Sequence, residues 1–147
     1  MRSLIGLMNF IPYWLTALVA RLAIGLVFWN SGRTKVEGWN IFEVSEKTKF
    51  LFEQEYMLPL LPPELAALLA QVAEHVLPVF IILGLGTRFA ALGLLAMTMV
   101  IEVFVYPQAY VQHGTWAAIL LMLASQGAGK LSLDALLGHE RVPAYSR

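Results

Sequence analysis

The sequence contains no cysteine. That excludes disulfides, thiolate metal sites, CxxC redox chemistry, iron–sulfur clusters and direct thiol–disulfide exchange. Charge is also scarce. Charged residues make up 14% of the chain, against about 25% in soluble domains. The 10 basic and 10 acidic side chains cancel, so there is no basic excess to steer nucleic acid, and no nucleic-acid partner is expected. Nucleotide motifs are incomplete. Gly127-Ala128-Gly129-Lys130 has Ala124 where a phosphate loop needs glycine and Leu131 where it needs a hydroxyl residue. Gly84-Leu85-Gly86 has Phe89 at the third glycine of a dinucleotide fingerprint. Neither follows a strand, which both motifs require. No HExxH motif and no His/carboxylate set has metal-ligand spacing on one helix. Internal repeats and low-complexity tracts are missing too.

What is present is apolar. Hydrophobic residues are 59% of the 147 and mean hydropathy is +0.68, which sets the chain apart from soluble enzymes. The length suits one domain. A bilayer helix needs about 20 apolar residues, and the sequence predicts four spans, over about 12–30, 64–84, 88–106 and 108–126. The expected fold is an all-α membrane protein, a four-transmembrane-helix up-and-down bundle with a short surface helix in the first loop. The boundaries have chemical causes. Pro63 presets the first turn of the second span, and Glu64 suits its positive end. Gly84 and Gly86 break the chain before Thr87-Arg88; Pro107 separates the third span from the fourth; Gly127 and Gly129 end the fourth. The connection from Ser31 to Pro63 is long for a bundle loop. Ser45 is placed to cap a helix reaching about Tyr56, and Ser132 to cap another over Leu133 to Leu137 with Asp134 in its first turn. Residues Gly138 to Arg147 read as a loose tail.

The N-terminus competes between a signal peptide and an uncleaved helix. Ala20 has Leu18 where a cleavage site wants a small residue, and the apolar run continues to Trp29, which favours the uncleaved helix. An even number of spans puts both termini on one side. That side carries Arg2, Arg88, Lys130, Arg141 and Arg147, against Arg33, Lys35, Lys47 and Lys49 on the other. The balance leans toward cytoplasmic termini.

Charges inside spans are costly and therefore informative. Arg21 and Glu74 each lie about nine residues into their spans, and antiparallel packing brings them to similar depth. A buried Arg21–Glu74 pair is expected, serving register, a proton relay or an acidic ligand. His75 points about 100° away from Glu74 and is either a packing histidine or part of a polar pocket. Pro78, one turn on, frees the Glu74 carbonyl. Glu102 and His113 flank Pro107 at similar distances and are expected to meet between the third and fourth helices, as a hairpin hydrogen bond or as a proton-transfer or metal contact. Arg33 and Lys35 follow the first span, where headgroup anchoring competes with binding an anionic ligand or partner. No catalytic constellation is present, and the metal, if any, is unknown.

The residues Arg21-Leu-Ala-Ile-Gly25 with Ser31-Gly-Arg-Thr-Lys35, Glu74 followed by Leu83-Gly-Leu-Gly-Thr-Arg88, and Gly127-Ala-Gly-Lys-Leu-Ser-Leu-Asp134 appear in an order and spacing that resembles the DoxX family of membrane proteins. The resemblance covers about Arg21 to Leu137. Glu55-Tyr56, Pro59-Leu-Leu-Pro-Pro-Glu64-Leu-Ala-Ala67 and Val105-Tyr-Pro107 resemble, more narrowly, members associated with bufferin-type gene clusters, which make small modified metallophore peptides linked to copper or other metal stress. The resemblance implies a four-helix inner-membrane protein. Other relatives are subunits of thiosulfate:quinone oxidoreductases or membrane partners in thiol-oxidant defence.

Two functional expectations follow. The first is a DoxX-like inner-membrane accessory protein, without catalysis of its own, that serves a metal- or redox-stress system by handling a metallophore peptide or docking a protein partner. The second is a quinone-binding membrane subunit of an oxidoreductase, with Trp29, Phe80, Phe104 and Trp116 as apolar walls and His75 or His113 bonding a carbonyl. Quinone and copper are the ligand chemistries left open. A transporter is disfavoured by four spans without an inverted repeat. The lipid bilayer is the certain partner, and Gly25 and Ser31-Gly32 permit close helix contacts within the chain or in a homo-oligomer.

Overall fold

The computed structural model describes residues 11–59 and 61–139. Arg2, Arg141 and Arg147 of the orientation count, the start of the signal-peptide reading and most of the expected tail lie outside these residues. Among the described residues six α-helices follow one another: α1 (Tyr13–Arg33), α2 (Glu46–Gln54), α3 (Pro63–Leu83), α4 (Thr87–Phe104), α5 (Tyr110–Gln126) and α6 (Leu133–Leu136), with a 3-10 turn at Pro107–Ala109 before α5. No strand occurs among the described residues. Helices α1, α3 and α4 are long and apolar enough to cross a membrane; α5, at 17 residues, is shorter than that measure requires.

The four long helices form a ring. α1 packs against α3 and α5, and α4 packs against α3 and α5. Ile24 and Phe28 of α1, Ile81 of α3, Leu94 of α4 and Leu120 and Leu123 of α5 make the shared core. The outward faces carry exposed leucines, valines and phenylalanines, such as Leu22, Val79, Phe89 and Leu121, as lipid-facing helices do.

The sequence explains the joints. Pro63 opens α3, and Gly84, in the left-handed conformation that favours glycine, closes it. The amide of Leu85 donates back to the Phe80 carbonyl at 2.9 Å, a helix-ending bond of the Schellman type. Ser45 Oγ accepts from the Thr48 amide at the start of α2, and Ser132 Oγ from the Ala135 amide at the start of α6. α2 seats Phe52 on Ala66 and Ala67 at the beginning of α3. The 34–62 segment is held by side chains reaching its backbone. Gln71 Nε2 donates to the carbonyls of Ile41 and Glu43, both at 3.0 Å, and Thr48 Oγ1 donates to the Lys35 carbonyl at 2.8 Å.

The α1–α3 register differs from the expected one. Arg21 lies opposite Ile81 and Ile82, while Ser31 lies opposite Glu74. Relative to a register that pairs 21 with 74, the helices are staggered by about eight to ten residues, roughly 12–15 Å at ~1.5 Å per residue. Two glycines seat α1 on α3 in this position. A Cβ on Gly25 would stand 2.5 Å from Ile82 Cγ1, and one on Gly32 would stand 2.9 Å from His75 Cε1.

Candidate functional site

The stagger separates Arg21 from Glu74, and each is satisfied differently. Arg21, buried, donates through Nε to the Ile81 carbonyl at 3.1 Å and through Nη2 to the Ile82 carbonyl at 2.9 Å. Its Nη1 donates to the carbonyls of Ala128 and Leu131, both at 2.8 Å. Ile81 and Ile82 lie in the last turn of α3, where carbonyls lack intrahelical donors and a cation is favoured. The expected Arg21–Glu74 ion pair is thus corrected: Arg21 caps a helix end and ties the segment after α5 to it. Asp134 completes this end of the bundle. Its two carboxylate oxygens accept from the amides of Gly86 and Thr87 at 2.8 and 2.9 Å, capping α4 from a distant part of the chain.

Glu74 pairs instead with Lys35. Lys35 Nζ lies 2.7 Å from Glu74 Oε2, and both residues are buried, at 7% and 2% exposure. Ser31, in the last turn of α1 and four residues before Lys35 in the turn that follows, completes the group. Its hydroxyl donates to Glu74 Oε1 at 3.1 Å and accepts from Lys35 Nζ at 3.1 Å. The Lys35–Glu74 contact is short but poorly directed, so Glu74 Oε2 accepts no aligned hydrogen bond. Lys35 therefore folds inward and is not a headgroup anchor. Arg33 takes the outer position, its guanidinium 4.6 Å above the Trp39 ring, a cation–π contact.

On the opposite helix pair, His113 Nδ1 lies 2.5 Å from Glu102 Oε2. His113 is buried and its ring stacks at a tilt, 5.2 Å from that of Trp116. The short turn at Pro107–Ala109 fixes this meeting by setting α4 and α5 side by side.

Both groups open on one chamber of about 620 Å³ at the end of the bundle where α1 and α4 finish and α3 and α5 begin. Ser31, Lys35, Glu74 and His113 supply polar atoms to its wall; Glu102 stands behind His113. Most of the remaining wall is apolar, including Phe28, Leu69, Met97, Ile101 and Trp116. Phe52 and Tyr56, with Leu58, reach in from α2 and the segment after it. Tyr56 packs edge-on against Phe52 and Tyr106, and its hydroxyl shares a long 3.4 Å hydrogen bond with the Tyr106 hydroxyl. Burial, followed by that hydrogen bond, pushes the Tyr56 hydroxyl above the ordinary tyrosine range.

His75 does not line the chamber. It sits on the α1–α3 seam, where Nδ1 donates to the Gln71 carbonyl at 2.7 Å and the ring meets Trp29 edge-on at 5.2 Å. Its Nε2 is buried and has no hydrogen-bond partner among the described residues. Of the four aromatics expected as walls, only Trp116 takes that place; Phe80 and Phe104 face outward. Ser31, Gln112, Tyr56 and Tyr106 are chamber residues that sequence reasoning passed over. Ser31 carried a signal, since it stands at the end of the first span, four residues before Lys35. Among the described residues no three His, Asp or Glu side chains come together, so Glu102 and His113 stand as a pair.

Residues 16–107 match the family described as DoxX. An uncharacterized protein of Haemophilus influenzae is 31% identical over 129 residues, covering 82% of each chain. No solved structure matches the chain.

Proposed function

This chain belongs to the DoxX family of membrane proteins, and we propose that it is an accessory subunit that holds a quinone-class molecule for a partner oxidoreductase. The observation that carries this reading is the chamber: about 620 Å³, mostly apolar, with two buried polar groups on opposite helix pairs. Sites of this kind, roughly 300–1,000 Å³ with a few placed polar groups, suit small amphipathic ligands. A quinone ring offers polar atoms at two opposite edges. Ser31–Lys35–Glu74 and His113–Glu102 supply donors and acceptors on two sides. Without cysteine, the chain has no thiol to exchange electrons with the ring, which assigns that step to a partner. Service in a redox-stress system follows from this reading.

The reading includes a fourth membrane crossing by α5. Its contacts with its neighbours run from Glu102–His113 through Phe28–Trp116 to the Tyr13 hydroxyl on the Gly127 carbonyl, so it covers the same depth as α1. In this arrangement α2 lies at the membrane surface over the chamber, the described termini share a side, and the inner membrane with cytoplasmic termini is the favoured setting.

The test is affinity purification from native membranes in mild detergent, with co-purified quinone and proteins quantified by mass spectrometry. Stripped protein in lipid nanodiscs is then titrated with a short-chain ubiquinone. The expected results are a stoichiometric quinone, an oxidoreductase partner and saturable tryptophan quenching that weakens about tenfold or more in H113A, a loss of ~1.4 kcal/mol. No bound quinone and no saturable quenching would sink the reading.

A further inference from the structure

The chamber is polarised between its seams, and the polarity gives a ligand orientation. At the end of α1 and the start of α5, Ser31, Lys35, Gln108 and Gln112 line the cavity. On the α3–α4 side the wall is wholly apolar: Ala73 and Leu69 of α3, Met97, Val100 and Ile101 of α4. The α3–α4 seam is closed at its far end, where a Cβ on Gly93 would stand 2.9 Å from Leu77 Cδ1. Antiparallel register carries that contact toward 73 opposite 97 and 69 opposite 101. There the side chains line the chamber, while Leu69 and Val100 are also 52% and 39% exposed. The water-side mouth is instead covered by Phe52, Tyr56 and Leu58, with Tyr56 bonded to Tyr106.

We infer that the ligand comes from the bilayer through the α3–α4 seam, with its neutral polar head against Ser31, Lys35 and Glu74 and its apolar tail left in the seam. This rests on the chamber being a ligand site, as proposed above, and adds the route and the direction. The head is neutral because Lys35 and Glu74 already compensate each other. A charged head would give up its own hydration without gaining a free counter-ion. The tail takes the α3–α4 seam because an alkyl or isoprenoid chain loses nothing against Leu69 and Ile101, whereas the α1–α5 seam would bury Gln108 and Gln112 beneath it.

The absence of native cysteine makes a clean test. Cysteines placed at Leu69 and Val100 are bridged with a bifunctional maleimide in nanodiscs. A second protein carries a bridge between Leu58 and Ala109 across the covered mouth. The probe is short-chain ubiquinone transferred from donor vesicles and read by tryptophan quenching; singly substituted, capped proteins control for the substitutions. The Leu69–Val100 bridge is expected to slow association about tenfold or more against its capped single variants and to raise Kd, because it closes the seam that both admits the ligand and holds its tail. The mouth bridge is expected to leave association unchanged. Unchanged rates with the seam bridged, or slowing by the mouth bridge alone, overturn the inference while leaving the chamber as a binding site. Capped single variants that slow association as much as the bridge does would put the effect in the substitutions rather than in closure of the seam, and likewise overturn it. No binding by wild type removes the site and this inference with it.

Discussion

Lys35, just past the end of α1, and Glu74 of α3 meet inside the bundle, 2.7 Å apart. A buried pair of this kind is costly to break and cheap to replace whole. Glu74→Leu or Lys35→Met alone is therefore expected to destabilise by about 3–5 kcal/mol, because each leaves one buried charge uncompensated. The double variant K35M/E74L is expected to recover most of that loss. Thermal unfolding of the four proteins in nanodiscs, treated as a double-mutant cycle, checks it. Additive losses would mean that the two groups do not compensate each other.

Arg21 makes charge-assisted hydrogen bonds to four carbonyls in two separate segments. Such bonds are worth about 1.5–3 kcal/mol each, although they do not add. Arg21→Met is expected to cost more than about 3 kcal/mol or to abolish folding. Arg21→Lys, with one charged nitrogen in place of a planar fork, recovers only part. Arg21→Glu and Glu74→Arg combined are expected to give no rescue, since the two do not meet. Yield and melting temperature after gentle extraction decide the matter.

Asp134 caps α4 across a gap of 47 residues in sequence. Asp134→Ala removes both acceptors and is expected to cost about 0.5–2 kcal/mol, the range for a helix cap. Asp134→Asn keeps one carbonyl acceptor and is expected to fall between. Hydrogen exchange at the Gly86 and Thr87 amides is the direct readout, and unchanged protection in D134A would count against the cap.

The Tyr56 hydroxyl is raised above its ordinary value of 10.0 by burial and by its bond to Tyr106. A raised folded value favours the protonated hydroxyl. The stability it contributes is fully present below pH 10 and is lost as pH rises through the folded value. In an alkaline absorbance titration, Tyr56→Phe is expected to remove an ionisation that occurs later than that of a free tyrosine. The stability difference between wild type and Y56F is expected to shrink above pH 10. Loss of an ordinary step near 10 in Y56F would show that the hydroxyl is open to water.

The long helices were legible because their signals are local: apolar runs, Pro63 at a start, Gly84 at an end, Ser45 and Ser132 as caps. The Glu102–His113 contact was within reach of counting, since a turn as short as Pro107–Ala109 fixes the register of the two helices it joins. The register of α1 on α3 was not. A long segment separates those helices, so no turn sets their alignment. It is set by Gly25 against Ile82 and Gly32 against His75, and by carbonyls at a helix end that no side-chain pattern reveals. The same lack of local signal hid Tyr56 and Gln112, which reach the chamber through tertiary placement alone.

The hold of Arg21 and Asp134 on residues 128–134 also orders assembly in time. Two of the carbonyls that Arg21 bonds are made more than a hundred residues after it. The end of α3 and the start of α4 are likewise completed by Asp134. Helices inserted earlier thus gain part of their hydrogen bonding only when the later-made residues 128–134 arrive. A chain halted near residue 126 would hold all four long helices and still lack the clasp that joins Arg21, the end of α3 and the start of α4.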